Sequence, residues 1–148
     1  VDLSRSEFLK LPASNRWGAF VREDDPLAAL ASVTPADLAR RSLILSEQAG
    51  REMGAWFHRD LEDLDVVATY NLLYNAVMLA RRGIGVVVSL EGIVDTGEGS
   101  GLAFRPLEPA IAADVFIAWK RYQAFSPAAE AFLAAIRSRW GAKRDGFK

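Results

Sequence analysis

The 148-residue chain contains no cysteine and a single histidine, His58. The first absence excludes disulfides and thiolate metal sites and fits a reducing compartment. The second excludes a histidine-rich metal centre and leaves any serine or threonine nucleophile with one candidate base. There is no surplus of positive charge: 18 Lys and Arg stand against 19 Asp and Glu, so a net charge of -1 supplies no overall drive toward a phosphate backbone. No apolar run approaches membrane-spanning length, and the opening Val1-Asp2-Leu3-Ser4-Arg5 has neither the basic start nor the apolar centre of a signal peptide. The expectation is a soluble cytoplasmic protein with no membrane partner and no nucleic-acid contact of its own. With no initiator Met, and an opening that falls within strand-forming sequence, the chain is expected to be a piece of a longer protein.

About half of the residues are hydrophobic (51%), enough for one ordinary core. Phe8-Leu9-Lys10-Leu11 and Trp17-Gly18-Ala19-Phe20-Val21 predict two strands, with Pro12-Ala13-Ser14-Asn15 as a turn between them. Thr34-Pro35-Ala36-Asp37 predicts a capped start to a short helix. From Ser42 onward two periodicities alternate. Leu43-Ile44-Leu45, residues 64–68 around Val66-Val67-Ala68, and Gly85 to Leu90 are short apolar strands. Met53, Trp56 and Phe57, then Leu73, Ala76, Val77 and Ala80, recur at helical spacing between them. Such an order predicts a parallel sheet covered by helices on both faces. Residues 95–101 read as a flexible loop, Leu102 to Leu107 as an edge strand on account of Pro106, and Val115 to Trp119 as a later strand. Ser126-Pro127 opens a last helix with the stripe Ala129, Phe132, Leu133, Ile136 and Trp140, ending before Gly141, with a polar, frayed tail from Lys143 to Lys148. The α/β unit is expected over residues 23–114. The flanks 1–22 and 115–148 would then belong together in a second unit, with crossings near residues 21–23 and 114–116 as hinges.

Ligands of an open parallel sheet bind beyond the carboxyl ends of its strands. Two turns fall there: Ser46-Glu47-Gln48 and Thr69-Tyr70-Asn71. Each precedes a helix whose first N–H groups can receive a carboxylate or other anion, with hydroxyl and amide side chains completing the hydrogen bonding. The alternative is that Ser46, Thr69 and Asn71 cap their own helices and bind nothing. Tyr70 can stack on a guest or seal the crevice.

Elsewhere the chemistry is thin. His58 reads as a surface residue, and Glu62, Asp63 and Asp65 as solvated carboxylates, so neither a metal nor another cofactor is expected. Gly97, Gly99 and Gly101 precede a strand where a phosphate loop needs a helix. Arg81-Arg82 suits the end of a helix dipole better than a nucleic-acid patch. No nucleophile has both a base and an orienting partner, so the chain is not expected to be an enzyme.

Several strings together resemble the effector-binding domain of LysR-type transcriptional regulators. They are Arg16-Trp17-Gly18 through Asp25-Pro26-Leu27-Ala28, Asp37-Leu38, Leu43 through Gln48, Ala68 through Ala76 with Gly83-Ile84-Gly85, Phe104-Arg105-Pro106-Leu107, and Trp119 through Leu133. The resemblance implies a two-lobed α/β fold like that of type 2 periplasmic binding proteins, here a parallel-sheet lobe with helices on both faces plus part of a second lobe. It implies a small-molecule effector in the cleft, with Ser46, Gln48, Thr69, Tyr70 and Asn71 lining it. It also implies a homo-oligomer pairing through the strand at 64–68 and the helix at 71–82. DNA would be contacted only through a winged helix-turn-helix that this sequence does not contain. A solute-binding domain of a transport system shares the same fold logic and is the alternative.

Overall fold

The computed structural model describes residues 5–140, Arg51 by its backbone alone. The elements run β1 (Ser6–Arg22), α1 (Pro35–Leu38), β2 (Leu43–Ser46), α2 (Gly50–Phe57), β3 (Val66–Tyr70), α3 (Leu73–Arg81), β4 (Val86–Leu90), β5 (Leu102–Pro106), β6 (Ala112–Lys120) and α4 (Pro127–Trp140), with 3-10 turns at Pro26–Ala29 and Leu61–Asp63. They divide into two compact units: Asn15–Ala113, and the described residues on either side of it.

In the unit Asn15–Ala113 the strand order is β3-β2-β4-β1-β5. β2 is parallel to both β3 and β4, while β1 runs antiparallel to β4 and to β5. The parallel triplet expected from the alternating periodicity is therefore present, extended by two antiparallel neighbours. Period-two alternation sorts its side chains between two cores. Leu43, Leu45, Val86, Val88, Ala19 and Val21 enter the core that α2 covers with Met53, Trp56 and Phe57. Ile44, Val87 and Phe20 enter the core that α3 covers with Leu73, Ala76, Val77 and Ala80. Each of these strands is buried on both faces, hence its nearly unbroken aliphatic sequence.

Two short elements lock the entry to β2. Thr34 and Asp37 form a reciprocal cap on α1: Thr34 N–H donates to Asp37 Oδ2 at 2.8 Å and Asp37 N–H to Thr34 Oγ1 at 3.3 Å. Asp25 accepts from the Leu27 N–H at 2.9 Å and from both terminal nitrogens of Arg41, tying the 3-10 turn to the segment two residues before β2. The hydrogen bonds from Arg41 hold the Asp25 carboxyl below the usual carboxylate range, against the opposing effect of burial.

The turn expected at residues 12–15 does not form: β1 is one strand of 17 residues. Its first half pairs with β6 and its second half with β4 and β5, so the chain stays extended to serve both. Pro12 is exposed, where its missing N–H costs nothing. β6 and α4 form as expected, with β6 starting earlier, at Ala112. The α4 stripe is only half covered: Leu133 and Ile136 are buried, whereas Phe132 is 58% and Trp140 38% exposed. Gly141 and the tail from Lys143 lie outside the described residues.

Gly18 has no room for a side chain. A Cβ there would sit 2.6 Å from the Arg105 carbonyl oxygen and closer still to the Phe104 ring. That ring packs edge-on against Phe20 at 5.1 Å between centroids. Gly18→Ala is expected to lower stability by about 2 kcal/mol, read as a fall in the urea midpoint. Asp25→Asn tests the ion pair through pH. Because the folded-state pKa of Asp25 is depressed, its contribution is present above the unfolded carboxylate pKa and disappears as pH falls through the folded value. The stability gap between wild type and Asp25→Asn should therefore be full at neutral pH and close on acidification. A gap that persists unchanged in strong acid would show that the pair contributes nothing through its charge.

Candidate functional site

Parallel pairing places the carboxyl ends of β2 and β3 at one rim of the sheet. Leu45 is opposite Thr69 and Ser46 opposite Tyr70. The two connections beyond are joined by the Glu47 N–H, which donates to the Tyr70 carbonyl at 3.0 Å. The chain after β2 closes a turn, Ala49 N–H to Ser46 carbonyl at 3.1 Å, and the Gln48 N–H donates to Ser46 Oγ at 3.3 Å. Gln48, Thr69 and Asn71 are exposed at this rim, with Ser46 and Tyr70 half-buried. All five expected site residues thus gather at one end of the sheet.

They do not all stand in turns. β3 continues through Tyr70, two residues past the expected end, so Thr69 and Tyr70 are strand residues and only Asn71 and Leu72 connect to α3. β2 offers a hydrogen-bonding partner as far as Ser46, and Tyr70 gains cover against the α3-side core. Strand alternation then separates neighbours. Tyr70 shares a face with Ser46, and Thr69 shares the opposite face with Leu45.

Tyr70 spends its hydroxyl inside the protein, donating to the Val88 carbonyl at 2.9 Å. Burial pushes its phenol above the ordinary value and a hydrogen bond with Ser89 partly offsets this, so it stays a neutral donor. Sealing, rather than a free polar handle, is what this geometry gives Tyr70. Ser89 itself was not singled out by sequence reasoning. Among the described residues it is the buried polar side chain, 6% exposed, on β4 opposite Gly18. Its signal was a hydroxyl interrupting the apolar run Val86-Val87-Val88 near the carboxyl end of a parallel strand.

Capping of α2 and α3 by the expected side chains does not occur. The N-cap of α2 is Ala49 and that of α3 is Leu72, neither with a side-chain hydrogen bond to the helix. In α3 the Asn75 N–H already donates to the Leu72 carbonyl at 3.1 Å; the remaining first-turn N–H groups of both helices lack intrahelical acceptors by the geometry of an α-helix, and they carry the positive end of its dipole. The rim therefore combines hydroxyls, amides and backbone donors, with the exposed Glu47 as the one carboxylate in the two connections.

The weaker candidates fall elsewhere. His58 closes α2 in the left-handed conformation (φ 53°) and is exposed. Asp65 accepts a hydrogen bond from Ser42 Oγ at 2.6 Å, and Glu62 and Asp63 are exposed in a 3-10 turn. Arg81 donates to the Ser100 carbonyl at 3.1 Å at the end of α3. Among the described residues, no helix is long and apolar enough to cross a membrane.

The family model described as the LysR substrate binding domain matches residues 4–141. No curated protein matches the chain. Among solved structures, the chain is similar to HinK, a LysR family transcriptional regulator from Pseudomonas aeruginosa, at 16% identity and a TM-score of 0.75, covering 95% of this chain and 51% of that one. It is also similar to the effector binding domain of QuiR in complex with shikimate, at 18% identity, TM-score 0.76, and 95% and 68% coverage. A third is the regulatory domain of CcmR from Synechocystis PCC6803 in complex with 2-PG, at 16% identity, TM-score 0.75, and 96% and 70% coverage. The chain spans about half the length of HinK. With the sequence match over residues 4–141 and a mixed α/β sheet of six strands like theirs, the chain belongs to the family of LysR substrate-binding domains, which have the type 2 periplasmic-binding-protein-like fold.

Proposed function

We propose that this chain is the effector-binding and oligomerisation module of a cytoplasmic LysR-type transcriptional regulator, without enzymatic activity. It senses a small anion, first of all a carboxylate, at the rim formed by Ser46, Gln48, Thr69, Tyr70 and Asn71. The observation that carries this reading is that α2 and α3 both begin uncapped at the same end of the sheet as these donors. Ser46 and Thr69 offer hydroxyls, Gln48 and Asn71 offer amides, and the helix starts offer N–H groups and dipole. Tyr70 contributes its ring as a wall, its hydroxyl being engaged with Val88. Relatives of this fold described in complex with shikimate and 2-PG support a small molecule as the effector.

In this reading residues 23–114 form the second lobe and residues 1–22 and 115–148 part of the first; the compact unit Asn15–Ala113 supports the bound near residue 114 and takes in residues 15–22 besides. A guest acts by binding one arrangement of the lobes better than another, since equal affinity shifts nothing. DNA is contacted by a winged helix elsewhere in the parent protein, and a homo-oligomer forms through β3 and α3. Val67 on β3, Leu72 beside α3, and Tyr74 and Met78 on it are 45–58% exposed apolar residues, which supports that surface.

Binding is tested on the parent regulator by thermal melting against a library of small carboxylic acids. The true effector at about 100 times its Kd adds about 2.7 kcal/mol to stability. Thr69→Ala and Ser46→Ala should each remove about 1 kcal/mol of that binding and visibly shrink the rise in Tm. If no acid raises the Tm, the anion-sensing reading fails. For assembly, light scattering should give a dimer or larger for the chain and a monomer for Met78→Glu; a wild-type monomer at tens of micromolar would overturn the pairing surface.

A further inference from the structure

The rim extends along the sheet beyond β2 and β3. β4 is parallel to β2, so its carboxyl end lies at the same rim, and β1 passes it in the opposite direction, with Trp17 opposite Leu90 and Gly18 opposite Ser89. The pairing continues one residue past β4, where the Glu91 N–H donates to the Arg16 carbonyl at 2.9 Å. Alternation sorts what these strands present there. Trp17 lies in the core that α2 covers and Leu90 packs against it, so Arg16, Ser89 and Glu91 turn to the other face, which they share with Ser46 and Tyr70. On that face Arg16 Nε and Nη2 donate in parallel to the two carboxylate oxygens of Glu91, at 2.8 and 2.9 Å. Both side chains keep access to solvent, at 57% and 40% exposed.

The donors assigned to the rim above are neutral: hydroxyls, amides and helix N–H groups. Arg16 is the formal positive charge that β1 adds to them. A guanidinium fork receives one carboxylate through two parallel bonds, and Glu91 occupies it in that geometry. An exposed ion pair is weakly held, because water and salt screen it and two long side chains must be fixed to keep it. Its carboxylate can therefore be exchanged for another of the same shape. We infer that Arg16 is the charge-recognising residue of the effector site and that Glu91 is the resident carboxylate which an acid effector displaces, an inference that rests on the anion-sensing reading of the rim. With β4 alone between β1 and β2, Arg16 and Ser46 are two strand spacings apart, about 10 Å. A small acid seated between them is within reach of the guanidinium on one side and of the Ser46 hydroxyl on the other. A neutral analogue gains nothing from Arg16 and leaves the pair closed. A carboxylate gains the fork but leaves Glu91 without its partner and repelled by the new charge, so Glu91 sets a threshold that a charged guest alone crosses.

The test follows the Arg16 Nε–H signal by proton–nitrogen NMR of the chain, with the backbone signals of Gln48 and Asn71 as reporters of the rim. Acetate and acetamide, alike in shape and different in charge, are the probes, at constant ionic strength. Acetate should move all three signals, and acetamide should leave the Arg16 signal in place. Arg16→Gln should weaken acetate at Gln48 and Asn71 about fivefold, whereas Glu91→Gln, which keeps the size and an acceptor, should tighten it about threefold, both within the range for an exposed ion pair. A pair with a merely structural role would make both variants weaken binding or leave both unchanged; opposite signs come from competition. If acetate moves Gln48 and Asn71 in wild type but the two variants bind it equally well, or Glu91→Gln binds it more weakly, Arg16 is not the recognising charge and the reading of the rim stands. If acetate moves none of the three signals in any variant, the inference falls together with the anion-sensing reading.

Discussion

The arrangement rests on one strand. β2 lies between β3 and β4 and is parallel to both, with Leu43, Ile44 and Leu45 no more than 2% exposed. A strand so placed has no solvent face, and its neighbours cannot be reached by a hairpin, because a parallel partner requires the chain to return to the starting end. Each return is a helix, and the helices lie on opposite faces because Leu43 and Leu45 open toward one core and Ile44 toward the other. Every crossing then leaves the sheet at the same rim. The grouping of Ser46, Gln48, Thr69, Tyr70 and Asn71 follows from four apolar-to-polar residues in register, without any direct contact among their side chains being needed.

The same constraint explains which parts of the chain were legible in its sequence. Strands buried on both faces and helices with a one-sided stripe leave strong periodic signals, so β2, β4, α2 and α3 were readable from Leu43 onward, as was the capped start at Thr34. The errors came where a partner distant in sequence decides the conformation. Pro12-Ala13-Ser14-Asn15 has the composition of a turn, yet β6 and the β4–β5 pair hold it extended. Thr69 and Tyr70 read as a loop because nothing local shows that β2 remains available through Ser46. Phe132 and Trp140 fit a helical stripe, but periodicity says only which residues share a side, not that something covers them.

For the site, position was legible and role was not. The residues were found through the general behaviour of parallel sheets and through family resemblance, both of which speak of where the chain is, not of what a side chain bonds. Tyr70 illustrates the gap: an aromatic that the sequence leaves free either to stack on a guest or to seal the crevice turns its hydroxyl inward to Val88, near the hydroxyl of Ser89. Hydrogen bonds between strands two apart in the sheet have no signature in a linear string.

The helix starts carry the last step. Other starts in this chain carry side-chain caps, the 3-10 turn Leu61–Asp63 excepted: Thr34 and Asp37 close both halves of a capping box on α1, Asp25 caps the 3-10 turn at Pro26, and Ser126 Oγ accepts from the Ala129 N–H at 3.3 Å at the start of α4. A side-chain cap is worth about 1 kcal/mol, and α2 and α3, short helices of eight and nine residues, would gain most from one. They have Ala49 and Leu72 instead, although Ser46, Gln48, Thr69 and Asn71 all lie within three residues of those positions. Among the α-helices, side-chain caps are thus absent at the two that share a rim and present at α1 and α4. Under the sensing mechanism proposed for this rim, the pattern is expected. A donor already satisfied by its own chain has little to offer a guest, whereas one left to solvent can exchange its water for the guest. The free energy left out of the empty protein is then available to distinguish it from the loaded one.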